Sequence, residues 1–432
     1  MTDARVILWG SDIGAVTWLE ERNVGVFQYA PDFAKTNFQL SPIRMPLSEI
    51  PYEFPALPFD AFKGLPGLLA DSLPDKFGNA VIDAWLASEG RTANSMNPVE
   101  RLCYIGHRGM GALEFKPTIG RGRGKSKPVD IASLVDLSNQ VLSDRKSLSG
   151  NFSGDDDLDT IEDIIRVGTS AGGARAKAIL AWNEKTGEFH SGQLKAEPGF
   201  TQWMMKFDGV TGNKDKELSD PLGFGLIEYA YHLMAMDADI TMMPCRIHKE
   251  GGRSHFMTKR FDRLDDGNKL HMQSLAAIMH YDYNQPSSYS YEQAIQTMQR
   301  MSLPMIQIEE QFRRASFNVM GRNQDDHVKN IAFLMDRDGQ WRLSPAYDIA
   351  YAFNPDGEFT GRHQMSVNNK RDGFKIDDLL ALAAIGNIKS TKAKKIIDQV
   401  SAAITRWSEH AEEAGVFEED ALRIEKTLRR IS

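Results

Sequence analysis

Cysteine is scarce in this chain, which contains only Cys103 and Cys245 among its 432 residues. Two thiols cannot form a disulfide framework, and neither lies in a cluster of metal-ligating residues, so we expect both to be reduced in a cytoplasmic protein. Long apolar runs are also absent: no window approaches about 18 uncharged apolar residues, so no membrane-spanning helix is expected. The amino-terminal MTDARVILWG lacks a basic segment followed by an apolar one, so no signal peptide is expected.

An excess of positive charge is lacking too. The 51 Lys and Arg residues are outnumbered by 59 Asp and Glu residues, giving a formal net charge of −8. This balance argues against a surface that binds nucleic acid throughout, while it leaves room for a local basic patch. The candidate patch is Arg121, Arg123, Lys125 and Lys127, for which a solvated loop is the alternative interpretation.

Apolar patterning predicts a mixture of strands and helices. Residues 5–9 and 14–18 are short apolar runs around a Gly-Ser-Asp turn, which predicts two strands. Helical spacing of apolar residues predicts helices at 76–88, about 130–143, 223–237, and through most of the chain after about 290. The exception is 331–343, where two apolar runs flank Asp-Arg-Asp-Gly-Gln and predict a hairpin.

Residues 168–177 form a glycine-rich segment ahead of a predicted strand. Gly172 and Gly173 would let the backbone approach a phosphate closely, and Lys177 would supply a positive charge. The segment is not a Walker A motif, because no Gly-Lys-Ser/Thr follows at the required spacing, and it precedes a strand rather than opening a helix as a Rossmann fingerprint does. A phosphate-binding loop and a plain glycine turn are therefore both open.

Lys206 is the one charged residue in the strand-like run Trp203-Met-Met-Lys-Phe207. It faces either solvent on an edge strand or a cleft in which it binds phosphate. Glu228 follows in the predicted helix 223–237. A strand lysine followed by a helix glutamate is the order found in kinases, where the pair orients the lysine on nucleotide phosphates.

The most specific signal is Asn323-Gln-Asp-Asp-His-Val-Lys-Asn330, followed by the predicted hairpin and then Ser344-Pro-Ala-Tyr-Asp348. Phosphoryl transfer needs a carboxylate that takes a proton from the attacking hydroxyl, and carboxylate or amide oxygens that bind Mg²⁺. Asp325, Asn330 and Asp348 supply these groups in the order that kinases use. The alternatives are a polar loop of ordinary turn-forming residues and a metal hydrolase that uses His327.

In this order, these pieces resemble the HipA family of serine/threonine kinases, the toxin half of bacterial HipA–HipB toxin–antitoxin pairs. The segments that carry the resemblance are 64–75, 106–115, 172–177, 205–207, 228–229, 259–263, 325–330 and 345–348. They span nearly the whole chain.

The resemblance implies a role for each motif. Asp325, rather than Asp326, would be the catalytic base. The other implied roles are Mg²⁺ binding by Asn330 and Asp348; support of the site by His327 and Glu228; and ATP binding by Lys206, Lys177, Gly172, Gly173, the hinge from Thr258 through Lys259 to Phe261, Gln273 and Tyr347. The glycine-rich segment would be inactivated by autophosphorylation, with Ser170 and Thr169 as the available hydroxyls.

The implied fold is α/β, a two-lobed protein-kinase-like fold with a strand-rich amino-terminal lobe, an added small amino-terminal subdomain and a mainly helical carboxy-terminal lobe. The corresponding ranges are 1–120 for the subdomain, 121–265 for the rest of the amino-terminal lobe and 266–432 for the helical lobe.

The implied function is an ATP- and Mg²⁺-dependent protein serine/threonine kinase that causes growth arrest or persistence. Its implied partners are a HipB-like DNA-binding antitoxin, through which it would reach DNA indirectly, and a translation-related protein substrate such as an aminoacyl-tRNA synthetase. A net charge of −8 suits a basic antitoxin. The alternatives are a small-molecule or lipid kinase with the same catalytic parts, and an inactive kinase-like protein that binds partners.

Overall fold

The structure is a computed structural model that describes residues 2–119, 128–143, 175–192, 197–210 and 222–431. Its first element is a four-stranded antiparallel sheet in the order β3-β2-β1-β4. The strands are β1 (Thr2–Leu8), β2 (Ser11–Leu19), β3 (Val24–Tyr29) and β4 (Leu113–Lys116). Trp9 and Gly10 join β1 to β2, both with positive φ, as a tight hairpin turn requires. The two strands predicted at 5–9 and 14–18 are therefore confirmed.

Helices fill the chain between β3 and β4. They are α1 (Pro31–Ala34), α2 (Phe59–Phe62), α3 (Gly67–Ala70), α4 (Lys76–Ser88) and α5 (Pro98–Ile105). Helix α5 begins at a capping box formed by Asn97 and Glu100, and it packs on β1. We call residues 2–119 without α4 the amino-terminal module, because one core of Val6, Trp18, Phe27 and similar side chains holds it together.

A five-stranded antiparallel sheet in the order β6-β5-β7-β9-β8 forms the next lobe. Its strands are β5 (Lys177–Trp182), β6 (Phe189–Ser191), β7 (Thr201–Lys206), β8 (Cys245–Glu250) and β9 (Arg253–Lys259). One face packs on α4 and α6 (Ile131–Ser143) through apolar side chains such as Met205 and Met257. Helix α7 (Phe224–Asp237) packs against β8 and β9.

The remaining lobe is mainly helical around a three-stranded antiparallel sheet in the order β10-β11-β12. The strands are β10 (His271–Ser274), β11 (Ala332–Met335) and β12 (Trp341–Leu343). The helices are α8 (Leu275–Met279), α9 (Tyr291–Arg300), α10 (Met305–Met320), α11 (Ile376–Ile385), α12 (Ser390–Thr405), α13 (Trp407–Ala414) and α14 (Glu418–Glu425). The predicted hairpin at 331–343 and the predicted helices at 76–88, 130–143 and 223–237 are all confirmed.

Polar contacts fasten the amino-terminal module to the rest of the chain. The carboxylate of Asp71 accepts hydrogen bonds from the backbone N–H and the hydroxyl of Ser274, where α8 begins. Gly67 lies so close to this helix that a Cβ there would be 2.3 Å from the carbonyl oxygen of Ala277. The module is therefore positioned directly beside the kinase-like lobes.

None of the helices within the described ranges has the length and apolar character needed to cross a membrane. The two cysteines, Cys103 and Cys245, are buried free thiols.

Candidate functional site

Lys206 ends β7 and points into the cleft between the two lobes. Its Nζ lies 2.5 Å from Oε1 of Glu228 on α7, and it also donates to Oδ1 of Asp348. Burial alone would lower the pKa of Lys206, but Asp348 and Glu228 outweigh it, so the pKa lies above its ordinary value. Lys206 is therefore a charged ammonium held between two carboxylates. The structure brings together the lysine and glutamate that the sequence pattern paired.

Helix α7 can deliver Glu228 because its first turn approaches β9 very closely. A Cβ on Gly225 would lie 2.2 Å from the carbonyl oxygen of Ser254. Sequence reasoning missed a second partner of the glutamate: Nη1 of Arg175 lies 3.0 Å from Oε2 of Glu228, and the guanidinium of Arg175 packs over the ring of Phe224. Glu228 thus bridges Lys206 and Arg175. The only sequence feature that could have pointed to Arg175 is its place in the Gly-Gly-Ala-Arg-Ala-Lys run.

Asp348 lies in the loop after β12 with a left-handed φ of 52°. Burial would raise its pKa, but Lys206 and Lys177 more than offset this, so the pKa of Asp348 lies below its ordinary value. The preceding residue, Tyr347, donates its hydroxyl to the carbonyl oxygen of Lys329 at 2.6 Å. This bond ties the loop of Asp348 to the loop that carries Asp325.

Asp325 stands at the opening of the cleft, with its side chain 38% exposed. Its Oδ1 accepts a hydrogen bond from Nε2 of Gln364 at 2.5 Å and lies 3.8 Å from Nε2 of His327. Burial raises the pKa of the Asp325 carboxyl, with further contributions from Asp348 and Asp326, whereas His327 lowers it. The net effect is a carboxylate with more than ordinary affinity for a proton.

Asn330 completes this loop. A short 3₁₀ turn, Val328–Asn330, returns its side chain toward the start of the loop, where Nδ2 donates to the carbonyl oxygen of Asp325 at 2.8 Å. Because the amide nitrogen is used in this way, the amide oxygen is left for another ligand.

Asp326 has a different environment from its neighbour. Its side chain is fully buried and accepts hydrogen bonds from the hydroxyl of Tyr291 at 2.9 Å, from Nδ1 of His363 at 2.7 Å and from the backbone N–H of Gln364 at 2.8 Å. These contacts make Asp326 a structural anchor. The sequence offered no spacing that would link His363 or Gln364 to it.

A small cavity adjoins Lys206. Alternate residues of β7 and the residues opposite them on β9 share one face of the sheet, which is why their side chains meet there. Its lining is Met204, Lys206, Glu228, Met242, Phe256, Thr258, Tyr347, Asp348 and Ile349. The lining therefore combines apolar side chains with the charged groups of Lys206, Glu228 and Asp348.

The remaining predicted hinge residues lie at the edge of this cavity or outside it. The ring of Phe261 packs against that of Tyr347 with centroids 5.6 Å apart. The side chain of Lys259 instead pairs with Asp265 on the surface, with Nζ 2.7 Å from Oδ1.

Two further predicted nucleotide ligands have partners outside the cavity lining. Gln273 is fully buried, and its Nε2 donates to the carbonyl oxygen of Leu40 at 2.7 Å, so it lies in the joint with the amino-terminal module rather than in the cavity lining. Lys177 is buried, with Nζ 3.1 Å from Oδ2 of Asp75, the residue that caps α4. Gly172, Gly173, Ser170, Thr169 and the basic patch at 121–127 lie outside the described residues.

No group of three or more His, Cys, Asp or Glu side chains within the described ranges is arranged to hold a metal ion. His327, the candidate ligand of a metal hydrolase, instead lies beside Asp325 and the ring of Tyr283, and no hydrogen-bond partner of its Nδ1 lies among the described residues.

Together, the sheet lobe, the helical lobe and the cleft between them define a mixed α/β fold of the protein-kinase kind. The HipA N-terminal domain model matches residues 4–116, and the HipA-like C-terminal domain model matches residues 169–407. The chain therefore belongs to the HipA family.

Comparison with solved structures bears on the fold. HipA of Shewanella oneidensis MR-1, solved in a complex of the toxin–antitoxin proteins HipA and HipB with operator DNA, is 16% identical with a TM-score of 0.67, covering 98% of this chain and 94% of that one. At this identity the match shows the fold alone. The Helicobacter pylori proinflammatory kinase CtkA is 12% identical over 52% of this chain and 92% of its own, and its TM-score of 0.30 is too low to support any conclusion. No curated protein matches the chain.

Proposed function

We propose that the chain is an ATP- and Mg²⁺-dependent protein serine/threonine kinase and the toxin of a toxin–antitoxin pair. The observation that carries this proposal is the meeting of the Lys206–Glu228 ion pair, the Asp325 carboxylate and the oxygen donors Asn330 and Asp348 in one cleft. Positioning and electrostatic stabilisation supply most of the catalysis in phosphoryl transfer, and these residue types are the ones that provide it.

The side chains present fit Mg²⁺ and a nucleotide. Asn330 has its amide oxygen available, and Asp348 offers its second carboxylate oxygen, Oδ2; hard oxygen donors of this kind are what Mg²⁺ prefers. The metal would neutralise charge on the transferred phosphate. The apolar lining residues Met204, Met242 and Ile349 suit a planar base, and Lys206 would supply positive charge to its phosphates.

Asp325 would act on the acceptor hydroxyl. Its partly exposed carboxylate faces the opening of the cleft, while Gln364 fixes the direction of one of its oxygens. A raised pKa makes the carboxylate a better proton acceptor once it is ionised. Glu228 would keep Lys206 directed at the nucleotide, as the corresponding pair does in protein kinases.

A HipB-like DNA-binding antitoxin is the proposed partner. Membership of the HipA family supports it, and the HipA of Shewanella oneidensis was solved together with HipB and operator DNA. A net charge of −8 favours association with a basic protein, through which this chain would reach DNA indirectly. The proposed target of phosphorylation is a protein of translation, such as an aminoacyl-tRNA synthetase, and its modification would arrest growth.

Transfer of label from γ-labelled ATP tests the proposal. Wild-type protein with Mg²⁺ and a cell lysate should label protein bands, Asp325→Asn should abolish that label, and the exposed control Asp338→Asn should retain it. Label confined to metabolites or lipids would instead identify a small-molecule or lipid kinase, and an absence of transfer by the wild type would reject the proposal. Mass spectrometry of the labelled chain, with Ser170→Ala and Thr169→Ala, would locate autophosphorylation.

A further inference from the structure

Arg429, in the segment that follows α14, donates hydrogen bonds to four groups close to the catalytic loop. Its side chain is only 10% exposed. Its side chain donates to the carbonyl oxygen of Val319 at 2.6 Å, Nε2 of His363 at 2.8 Å, Oε1 of Gln324 at 3.0 Å and Oδ1 of Asp372 at 2.7 Å. No motif in the sequence pointed to this residue.

The first route from Arg429 to the catalytic loop passes through His363. A guanidinium only donates hydrogen bonds, so Nε2 of His363 must accept, and its ring proton is on Nδ1. Nδ1 therefore donates to Oδ2 of Asp326 at 2.7 Å. Arg429 thus fixes the tautomer that anchors Asp326, the residue directly after Asp325.

The second route passes through Gln324, the residue directly before Asp325. Arg429 donates to the side-chain oxygen of Gln324, while Nε2 of Gln324 donates to the carbonyl oxygen of Thr360 at 2.8 Å. The Arg429 guanidinium is consequently linked to both sequence neighbours of Asp325, and Arg322 adds a second hydrogen bond to Oε1 of Gln324 at 3.1 Å. Gln364, which follows His363, adds a direct bond to Oδ1 of Asp325.

We propose that Arg429 is a positioning residue for the catalytic base. By holding Gln324 on one side and the His363–Asp326 pair on the other, it keeps the Asp325 carboxylate directed at the acceptor hydroxyl. This inference rests on the proposed kinase function and deepens it. Arg429 contacts none of the residues that line the cavity at Lys206, so its loss should impair turnover and leave nucleotide binding intact.

The test compares Arg429→Ala with Arg430→Ala, a neighbouring exposed arginine, in the full-length protein. Arg429→Ala should lower kcat by about 100-fold, because a small displacement of a catalytic group has an effect of that size. The KM for ATP should stay within about twofold of wild type, and Arg430→Ala should behave as wild type in both. Guanidinium ion added to Arg429→Ala should restore part of kcat, because it can donate the same hydrogen bonds from the site of the missing side chain.

A kcat of Arg429→Ala within about threefold of wild type would overturn the inference, as would a loss that matches the unfolded fraction measured by circular dichroism. If Arg429→Ala does not fold, Arg429→Gln takes its place. Glutamine keeps an amide N–H donor but lacks the several donors of the guanidinium. The same kcat criterion applies to it. Failure of the wild type to transfer phosphate would reject the proposed function itself. Normal transfer by both wild type and the Arg429 variant would reject only the role of Arg429.

Discussion

Asp325 and Asp326 are consecutive residues with opposite environments. The Asp325 carboxylate faces the cleft and accepts one side-chain hydrogen bond, from Gln364, whereas the Asp326 carboxylate is buried and accepts three, from Tyr291, His363 and the backbone of Gln364. Either aspartate could be aligned with a catalytic carboxylate from sequence alone. Their environments suit the first to the proposed proton transfer and the second to anchoring of the loop.

Asp326→Asn should destabilise the protein, because an amide nitrogen would replace an oxygen that faces hydrogen-bond donors. The expected loss is about 3 kcal/mol in the free energy of unfolding, measured by urea denaturation. Asp325→Asn is the matched comparison and should be no less stable than wild type. Since the pKa of Asp325 is raised by burial, its charge costs folding free energy at neutral pH, and the amide removes that cost. Equal effects of the two substitutions would contradict this division of roles.

Glu228→Gln should weaken nucleotide-dependent transfer without unfolding the protein. The amide keeps the shape of the side chain but removes the charge that holds Lys206 and Arg175. We expect kcat/KM for ATP to fall by about 10- to 100-fold, as misorientation of a binding group does. Steady-state kinetics measure this, with the exposed Glu413→Gln as the control. Unchanged kinetics would show that Glu228 is not required to orient Lys206 on the nucleotide.

The parts of the site that were predictable from the sequence lie in short segments. Asp325 and Asn330 lie on one loop, and Asp348 follows a hairpin whose turn residues were recognisable. Arg429, Gln364 and Asp75 were not predictable, because each reaches its partner across a long stretch of chain with no periodic signal.

Gln273 illustrates another limit of the sequence. It lies on a short strand, and a short run does not establish which alternate side chains face the cavity and which face the neighbouring module. The strands and helices of the fold were more accessible, because hydrophobic periodicity and turn chemistry act locally.

The pH profile of phosphate transfer should report the raised pKa of Asp325. A base works only when it is ionised, so the rate should fall as the pH drops through this pKa, which lies above the ordinary aspartate value of about 3.9. His327→Gln should move the acid limb to still higher pH, because His327 lowers the pKa of Asp325 and its removal leaves the raising effects unopposed. The profile of log kcat/KM against pH is the measurement. An acid limb that stays in place in His327→Gln would contradict the expectation.

Asp262 provides a prediction about folding rather than catalysis. Its buried carboxylate accepts hydrogen bonds from Arg260 at 2.7 and 2.9 Å, from Arg263 at 2.7 Å and from the backbone N–H of Gly111 at 2.6 Å, which fastens the amino-terminal module to the sheet lobe. Burial would raise the pKa of Asp262, but the two arginines outweigh it and hold the pKa below its ordinary value.

Asp262→Asn should therefore cost about 3–5 kcal/mol at pH 7, because it leaves two buried guanidinium groups without their counter-ion. Since the folded-state pKa is depressed, this stabilisation is complete above the unfolded-state value of about 3.9 and is lost as the pH falls toward the folded-state pKa. The stability gap between wild type and variant, measured by urea denaturation, should accordingly narrow in acid. Asp265→Asn, at a side chain 75% exposed, should change stability by no more than about 0.5 kcal/mol. A similar small effect at Asp262 would show that the ion cluster does not hold the module in place.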